Sequence, residues 1–364
     1  MFLAWKEIKY AKTRFSLIIG VLVLVSYLVY FLTGLAFGLA QDNRTSVDKW
    51  EAQAIVLADE ANDNINMSMI PQGAIADIEA DDVAVLGQTA SVVSREKDSA
   101  KEQEENKMSV TFFGIDPGQF IAPDIIDGEM FADDYQVVAD ISLQEEYGVE
   151  LGDELNIAGN DATIKVVGFT DQAKFNVAPV LYTTLTTYQE IRFEVADDSD
   201  EGRVSAFIIR DDDLNSVQVD NDELKLSTIT DYINEIPGYT AQVLTFGLMI
   251  VFLIVIAAVV IGIFMYVLTV QKSSMFGVMK AQGISTKYIA TSVVSQTFIL
   301  AVIGVAIGLL LTVLTAVVLP STVPFNINIY SVFIITVLII LFALLGAFFS
   351  VRTVAKIDPL EAIG

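Results

Sequence analysis

The chain has 364 residues, 53% of them hydrophobic, yet its net charge is −25. A single soluble globule does not combine the two, so they belong to different parts of the chain. It has no Cys and no His, which excludes disulfides, Cys/His zinc sites, Ser-His-Asp triads and phosphohistidine relays and leaves carboxylate, Tyr, Met or backbone oxygen for any metal.

Residues 1–14 carry Lys6, Lys9, Lys12 and Arg14 with Phe2, Trp5 and Ile8 on the other side, and predict a short amphipathic cytoplasmic helix. Residues 15–40 follow without one Asp, Glu, Lys or Arg. A signal-peptide core is ~7–15 residues, so this longer run predicts a retained first membrane helix. The basic residues before it place the N-terminus in the cytoplasm. Gly34 and Gly38 form a small-xxx-small pair that lets another helix approach closely. Ser26, Tyr27, Tyr30 and Thr33 give the outer half a polar stripe, for which interfacial anchoring of the tyrosines is the simplest account.

Residues 41–242 hold 43 acidic against 12 basic side chains, a net of −31. This segment predicts a large extracellular α+β domain inserted between the first and second membrane helices. Strands are expected at Ala54–Leu57, Val110–Phe113, Tyr135–Ala139, Ala162–Phe169, Val180–Tyr182 and Val204–Ile209. Helices are expected at Ile141–Tyr147 and Leu224–Glu235, with a turn from Val149 to Asp153 leading into Glu154–Ile157. Ser94–Lys107 reads as an exposed loop or hairpin tip. Asp197–Gly202 resembles a calcium loop, but its twelfth position is Ile208 where a bidentate Glu is needed, so a solvated loop is expected. No phosphate-binding Gly loop, nucleophile elbow or paired-carboxylate site is found, and no catalytic residue is expected.

A second membrane helix is expected over 243–270, approached by Tyr232, Tyr239, Phe246 and Met249 at the outer face. A cytoplasmic loop, 271–287, follows. Lys272, Lys280 and Lys287 make it basic, and Met275, Val278 and Met279 recur at helical spacing, giving an apolar face for a cytosolic partner. Gly304 and Gly308 form another small-xxx-small pair in the third helix, 288–319. An extracellular turn, 320–329, leads to the fourth helix, 330–351, and to a cytoplasmic tail, 352–364, with Arg352 and Lys356. The four spans contain no Asp, Glu, Lys, Arg or His, which argues against proton- or sodium-coupled transport. The chain has no G-x-x-x-x-G-K-[ST] loop, so the energy for any work must come from a partner.

Lys272, Phe276-Gly277, Lys280-Ala281, Gly283-Ile284-Ser285 and the tail Asp358-Pro359-Leu360-Glu361-Ala362-Ile363 match the loop and tail of MacB/FtsX-type ABC transporter permeases. The layout, essentially from end to end, resembles that family. The first helix with its flanks, and the segment VVGFTDQAKFNVAPVLYT, look most like the haem-efflux permeases of Gram-positive bacteria, of the HrtB type. The resemblance implies a MacB-like, type VII ABC exporter. Such a permease is a homodimer in the lipid bilayer, bound to two copies of a cytosolic ABC ATPase that carry the ATP and Mg. It works by mechanotransmission, with haem as cargo, no intrinsic cofactor and no nucleic-acid partner. Lys272, Met275, Phe276, Gly277, Lys280 and Gly283 would then couple to the ATPase; many members carry Glu where this chain has Met275, which puts a charged contact there in doubt.

Haem is a flat apolar plate with two carboxylates and asks for an apolar slot with a cationic rim. Without His or Cys, only Tyr, Met or carboxylate can ligate its iron. Tyr27, Tyr30, Phe31, Tyr239, Phe246 and Met249 are the candidates at outer-leaflet depth, with Arg44 for a propionate. Other cargoes of the same machine (a lipophilic drug, peptide or lipoprotein) and an FtsX-like regulator of cell-wall hydrolases are the alternatives.

Overall fold

A computed structural model describes residues 12–320 and 322–356. It separates into a membrane unit, built from residues up to Gly38 and from Leu244 onward, and an inserted domain, Leu39–Val243. The amphipathic N-terminal helix and the 358–363 tail fall mainly or wholly outside the described residues. Among the described residues, four helices are long and apolar enough to cross a membrane, over Phe15–Asp42, Tyr239–Gln271, Thr286–Val318 and Ile329–Phe348. The expected fold class, four membrane helices with an α+β domain between the first two, is the one found.

In chain order, the inserted domain follows α1 (Lys12–Asp42) with α2 (Thr45–Asp48), β1 (Ala54–Ala58), β2 (Ile70–Pro71), β3 (Ile78–Glu79) and β4 (Asp82–Arg95). Then come α3 (Ala100–Glu105), β5 (Met108–Gly114), β6 (Asp127–Gly128), β7 (Gln136–Asp140), α4 (Ser142–Tyr147), β8 (Glu154–Ile157) and β9 (Thr163–Thr170). β10 (Lys174–Phe175), β11 (Ala178–Thr183), α5 (Leu185–Phe193), β12 (Arg203–Val204), β13 (Ala206–Arg210), β14 (Gln218–Val219), β15 (Leu224–Thr228) and α6 (Ile229–Glu235) complete it.

The 14-residue β4 organises the sheet. Its first part pairs with β13, its middle with β5 and its end with β8. From β5 the ladder runs to β11, β7, β9, β8 and back to β4, so these six strands close on themselves. Alternate residues point into the ring, and Val93, Val110, Phe112, Val137, Leu155, Val166 and Leu181 form one buried cluster there. Beyond the ring, β13, β1 and β15 extend the sheet. β1 is buried on both faces: Ala54 and Val56 join one cluster, Ile55 and Leu57 another that includes Trp50, Phe113 and Tyr232.

Some expectations need correcting. Leu224–Glu235 is not one helix: Leu224–Thr228 alternates and pairs antiparallel with β1, and only then does Thr228 cap α6 by accepting from the Asp231 N–H. Ser94–Lys107 is a hairpin tip, but one that folds into α3 through a capping box between Ser99 and Glu102. Tyr232 is no interfacial anchor; it is 1% exposed within the core, where burial pushes its phenol pKa up. Asp197 accepts hydrogen bonds from the Ser199 N–H and O–H at 3.0 and 2.6 Å on an exposed loop.

In the membrane unit, α1 packs beside α7 (Tyr239–Gln271), α8 (Ser273–Ala281), α9 (Thr286–Val318) and α10 (Ile329–Lys356). Gly304 and Gly308 let α1 approach α9: a Cβ on Gly308 would stand 2.1 Å from Ser26 Oγ, whose hydroxyl donates to the Gly304 carbonyl at 3.1 Å. Gly34 and Gly38 behave differently from the expectation. They receive the Phe325 ring and the Pro324–Asn326 backbone of the α9–α10 turn rather than a helix. α7 buries one narrow stripe, Ile254, Ala257, Ile261, Met265 and Leu268, and leaves Leu244, Leu248, Val251, Phe252, Val255 and Ile256 uncovered. Its helix starts at Tyr239, four residues ahead of the apolar run.

Candidate functional site

Tyr27 and Phe31 stand one turn apart on α1, which stacks their rings at 6.0 Å. Phe31 in turn stacks on Phe325 at 5.5 Å. The Tyr27 hydroxyl lies 3.2 Å from Thr315 Oγ1 on α9. The result is a three-ring aromatic wall, of which the sequence supplied two members. Phe325 sits in a turn between Pro324 and Asn326, and nothing in its neighbours signals the contact.

Tyr30 points elsewhere. It is 2% exposed and hydrogen-bonded to Thr336 on α10. It lines a crevice with Thr33, Gly34, Phe37 and Thr312 whose cavity of about 10 Å³ has room for little more than a single water, far below what a ligand needs. Phe246 is half-buried, and Met249 is 46% exposed on the uncovered side of α7. No described contact joins these two to the α1 tyrosines.

Arg44 and Tyr239 belong to the inserted domain. The Arg44 guanidinium binds Asp48 through Nε at 2.9 and 3.1 Å and through a third hydrogen bond from Nη2. Tyr239 is its second partner, and both hold the cation above its ordinary pKa, the Asp48 hydrogen bond most strongly. In this geometry Arg44 is engaged by protein groups, with its charge already matched.

The segment expected to meet a cytosolic partner folds as α8. Phe276 is 4% exposed and packs with Phe15, Ile18, Met265 and Ile289. Gly277 is buried beside it, and Lys272 Nζ stands 5.6 Å from the Phe15 ring. Gly283, at φ +85°, ends the helix: its N–H donates to Lys280 and the Ile284 N–H to Met279, both at 3.0 Å. Ser285 then caps α9, accepting from the Tyr288 N–H. Met275 and Val278 remain 41% and 42% exposed. Met279 does not join them; it packs inward against the Phe276 cluster, because a nine-residue helix lying on that cluster buries every third or fourth residue. The outward stripe is therefore Ser274, Met275 and Val278, with Gln271 and Gln282 at its ends.

Residues 247–359 match the FtsX-like permease C-terminal family. The whole chain aligns with permeases provisionally named hemin transport system permease protein HrtB. In Staphylococcus epidermidis the identity is 28% over 367 residues, covering 100% of this chain and 99% of the relative. In Staphylococcus haemolyticus it is 25%, with the same coverage. An uncharacterised ABC transporter permease of Mycobacterium bovis is 22% identical over 368 residues, again covering 100% of this chain and 99% of the relative. Residues 247–359 are thus similar to the FtsX-like permease C-terminal domain, and the chain is similar from end to end to permeases of the HrtB type and to ABC transporter permeases.

Proposed function

We propose that this permease exports haem from the membrane, driven by ATP hydrolysis in a cytosolic ABC subunit. The observation that carries the reading is the end-to-end similarity to chains named for hemin transport. The uncharged spans fit it, because they offer no ion relay of their own. In this reading two copies assemble with two ATPase subunits, both termini are cytoplasmic and the inserted domain is outside. Met275 and Val278 on α8 meet the ATPase, and closure of the ATPase moves the cytoplasmic ends of the helices.

Tyr30 is committed to α10, so Tyr27, Phe31 and Phe325 are the wall we assign to the porphyrin, with Tyr27 or Met249 as the iron ligand. The exposed side of α7 that carries Met249 then takes its opposite wall from the second copy. Haemin should raise ATPase activity in the co-purified complex and shift its Soret band on binding. Tyr27→Phe should weaken both effects, whereas Tyr30→Phe should act through helix packing instead. A complex whose ATPase and spectrum ignore haemin would assign the machine another lipophilic cargo.

A further inference from the structure

The segment VVGFTDQAKFNVAPVLYT, residues 166–183, has no part in the aromatic wall or in α8. It folds as the end of β9 and the β10–β11 hairpin. Phe175 pairs with Ala178, so the loop is the two residues Asn176 and Val177, both left-handed at φ +50° and +69°. Gly is the usual choice at the second of these, and a β-branched residue is rare there.

The N–H groups of this loop find partners at the end of α1. Asn176 donates to the Asn43 carbonyl and Val177 to the Asp42 carbonyl, both at 3.0 Å. Just before them, the Leu39 carbonyl accepts from Asn43 Nδ2 at 2.7 Å and the Gln41 carbonyl from the Arg44 N–H at 2.8 Å. Helix ends ordinarily leave such carbonyls to water. Side chains add to the grip. Thr45 Oγ1 accepts from the Lys174 N–H at 3.0 Å and donates to the Lys174 carbonyl at 3.2 Å. Lys174 Nζ reaches Asp42 at 3.1 Å and Glu146 at 3.8 Å, and Lys49 Nζ reaches Asp171 at 2.7 Å.

We infer that the Lys174–Val177 hairpin is the grip through which movement of the first membrane helix enters the inserted domain, with Lys174, Asn176 and Val177 as positioning residues of the transport cycle. The route onward is short. β11 leaves the hairpin directly and is hydrogen-bonded to β5 on one side and β7 on the other, inside the closed ring. A displacement of Asp42 and Asn43 is therefore delivered to a central strand. This inference rests on the mechanotransmission reading above.

The test uses the permease–ATPase complex in lipid nanodiscs and liposomes and reads ATP hydrolysis and haemin movement separately. T45V/K174M removes the side-chain half of the grip. It should hydrolyse ATP within about twofold of wild type but move about fivefold less haemin per ATP. The chain has no Cys, so an N43C/N176C pair in that background can be cross-linked cleanly. Oxidation should restore haemin moved per ATP, and reduction should abolish the rescue. Unchanged transport per ATP in T45V/K174M, or a loss the cross-link does not restore, overturns the grip. If T45V/K174M does not assemble, K174M alone, which keeps the Thr45 hydrogen bonds but removes the Asp42 and Glu146 ion pairs, is read in the same way. A wild-type complex that moves no haemin overturns the cargo instead. Nucleotide-dependent hydrogen exchange in β11 then decides: a response in wild type that the variant lacks supports the grip, and an equal or absent response overturns it.

Discussion

Arg192 of α5 binds the carbonyls of Gln88, Asn66 and Ser68, the Tyr188 hydroxyl and Ser205 Oγ, and its guanidinium carbon stands 5.3 Å from the centre of the Phe193 ring. Arg192→Met keeps the length but strands these acceptors, and should cost about 2–3 kcal/mol in denaturant unfolding of the inserted domain. Tyr135 gives a pH-dependent counterpart. Its phenol donates to Glu190, and that hydrogen bond to a carboxylate pushes its pKa up to about 12. A raised pKa means that the folded state favours the neutral phenol. The contribution is complete below the ordinary value near 10 and is lost as pH rises through about 12. Glu190→Gln should bring the phenolate absorbance back toward the ordinary range; an unmoved titration would refute the pairing. At this scale the sequence was half legible. The Tyr27–Phe31 stack follows from one-turn spacing, whereas Phe325 and the carboxylate that occupies Arg44 depend on tertiary approach and on a choice of partner that spacing does not decide.

Among the elements, α8 separates the residues that fold from the residues left available. Phe276→Ala should destabilise the membrane unit by about 3–5 kcal/mol, as a buried aromatic does. Met275→Asp should leave thermal stability unchanged and weaken co-purification of the ATPase. Equal loss of stability in both variants would contradict the assignment of faces. The amphipathic spacing of Met275, Val278 and Met279 made this helix readable in advance, whereas the stop at Gly283 and the cap at Ser285 were not read and start the next helix two residues ahead of the expected 288. β4 was not readable, for a physical reason. Its alternation breaks at Gly87, where a Cβ would stand 2.2 Å from the Tyr188 ring, and at Gln88, a buried polar residue in mid-strand. The strand accommodates α5 at the point where its own pattern should be clearest. Gly87→Ala should cost about 1–3 kcal/mol by forcing that ring aside.

On the scale of the molecule, the separation of charge from hydrophobicity was what the sequence expressed most clearly, and both units follow from it. The proposed orientation can be checked on this Cys-free chain. A single Cys at Asp198 should react with a membrane-impermeant thiol reagent added to intact cells, and one at Ser274 only after the membrane is opened. The reverse pattern would invert the topology and remove the coupling role of α8.

The six-strand circuit of the inserted domain has a further consequence. An edge strand of an open sheet comes away when one ladder parts, but no strand leaves a hoop until two seams part. Under the proposed mechanotransmission, a domain tugged at one strand on every turnover, with no disulfide to hold it, would gain from this geometry resistance to repeated load.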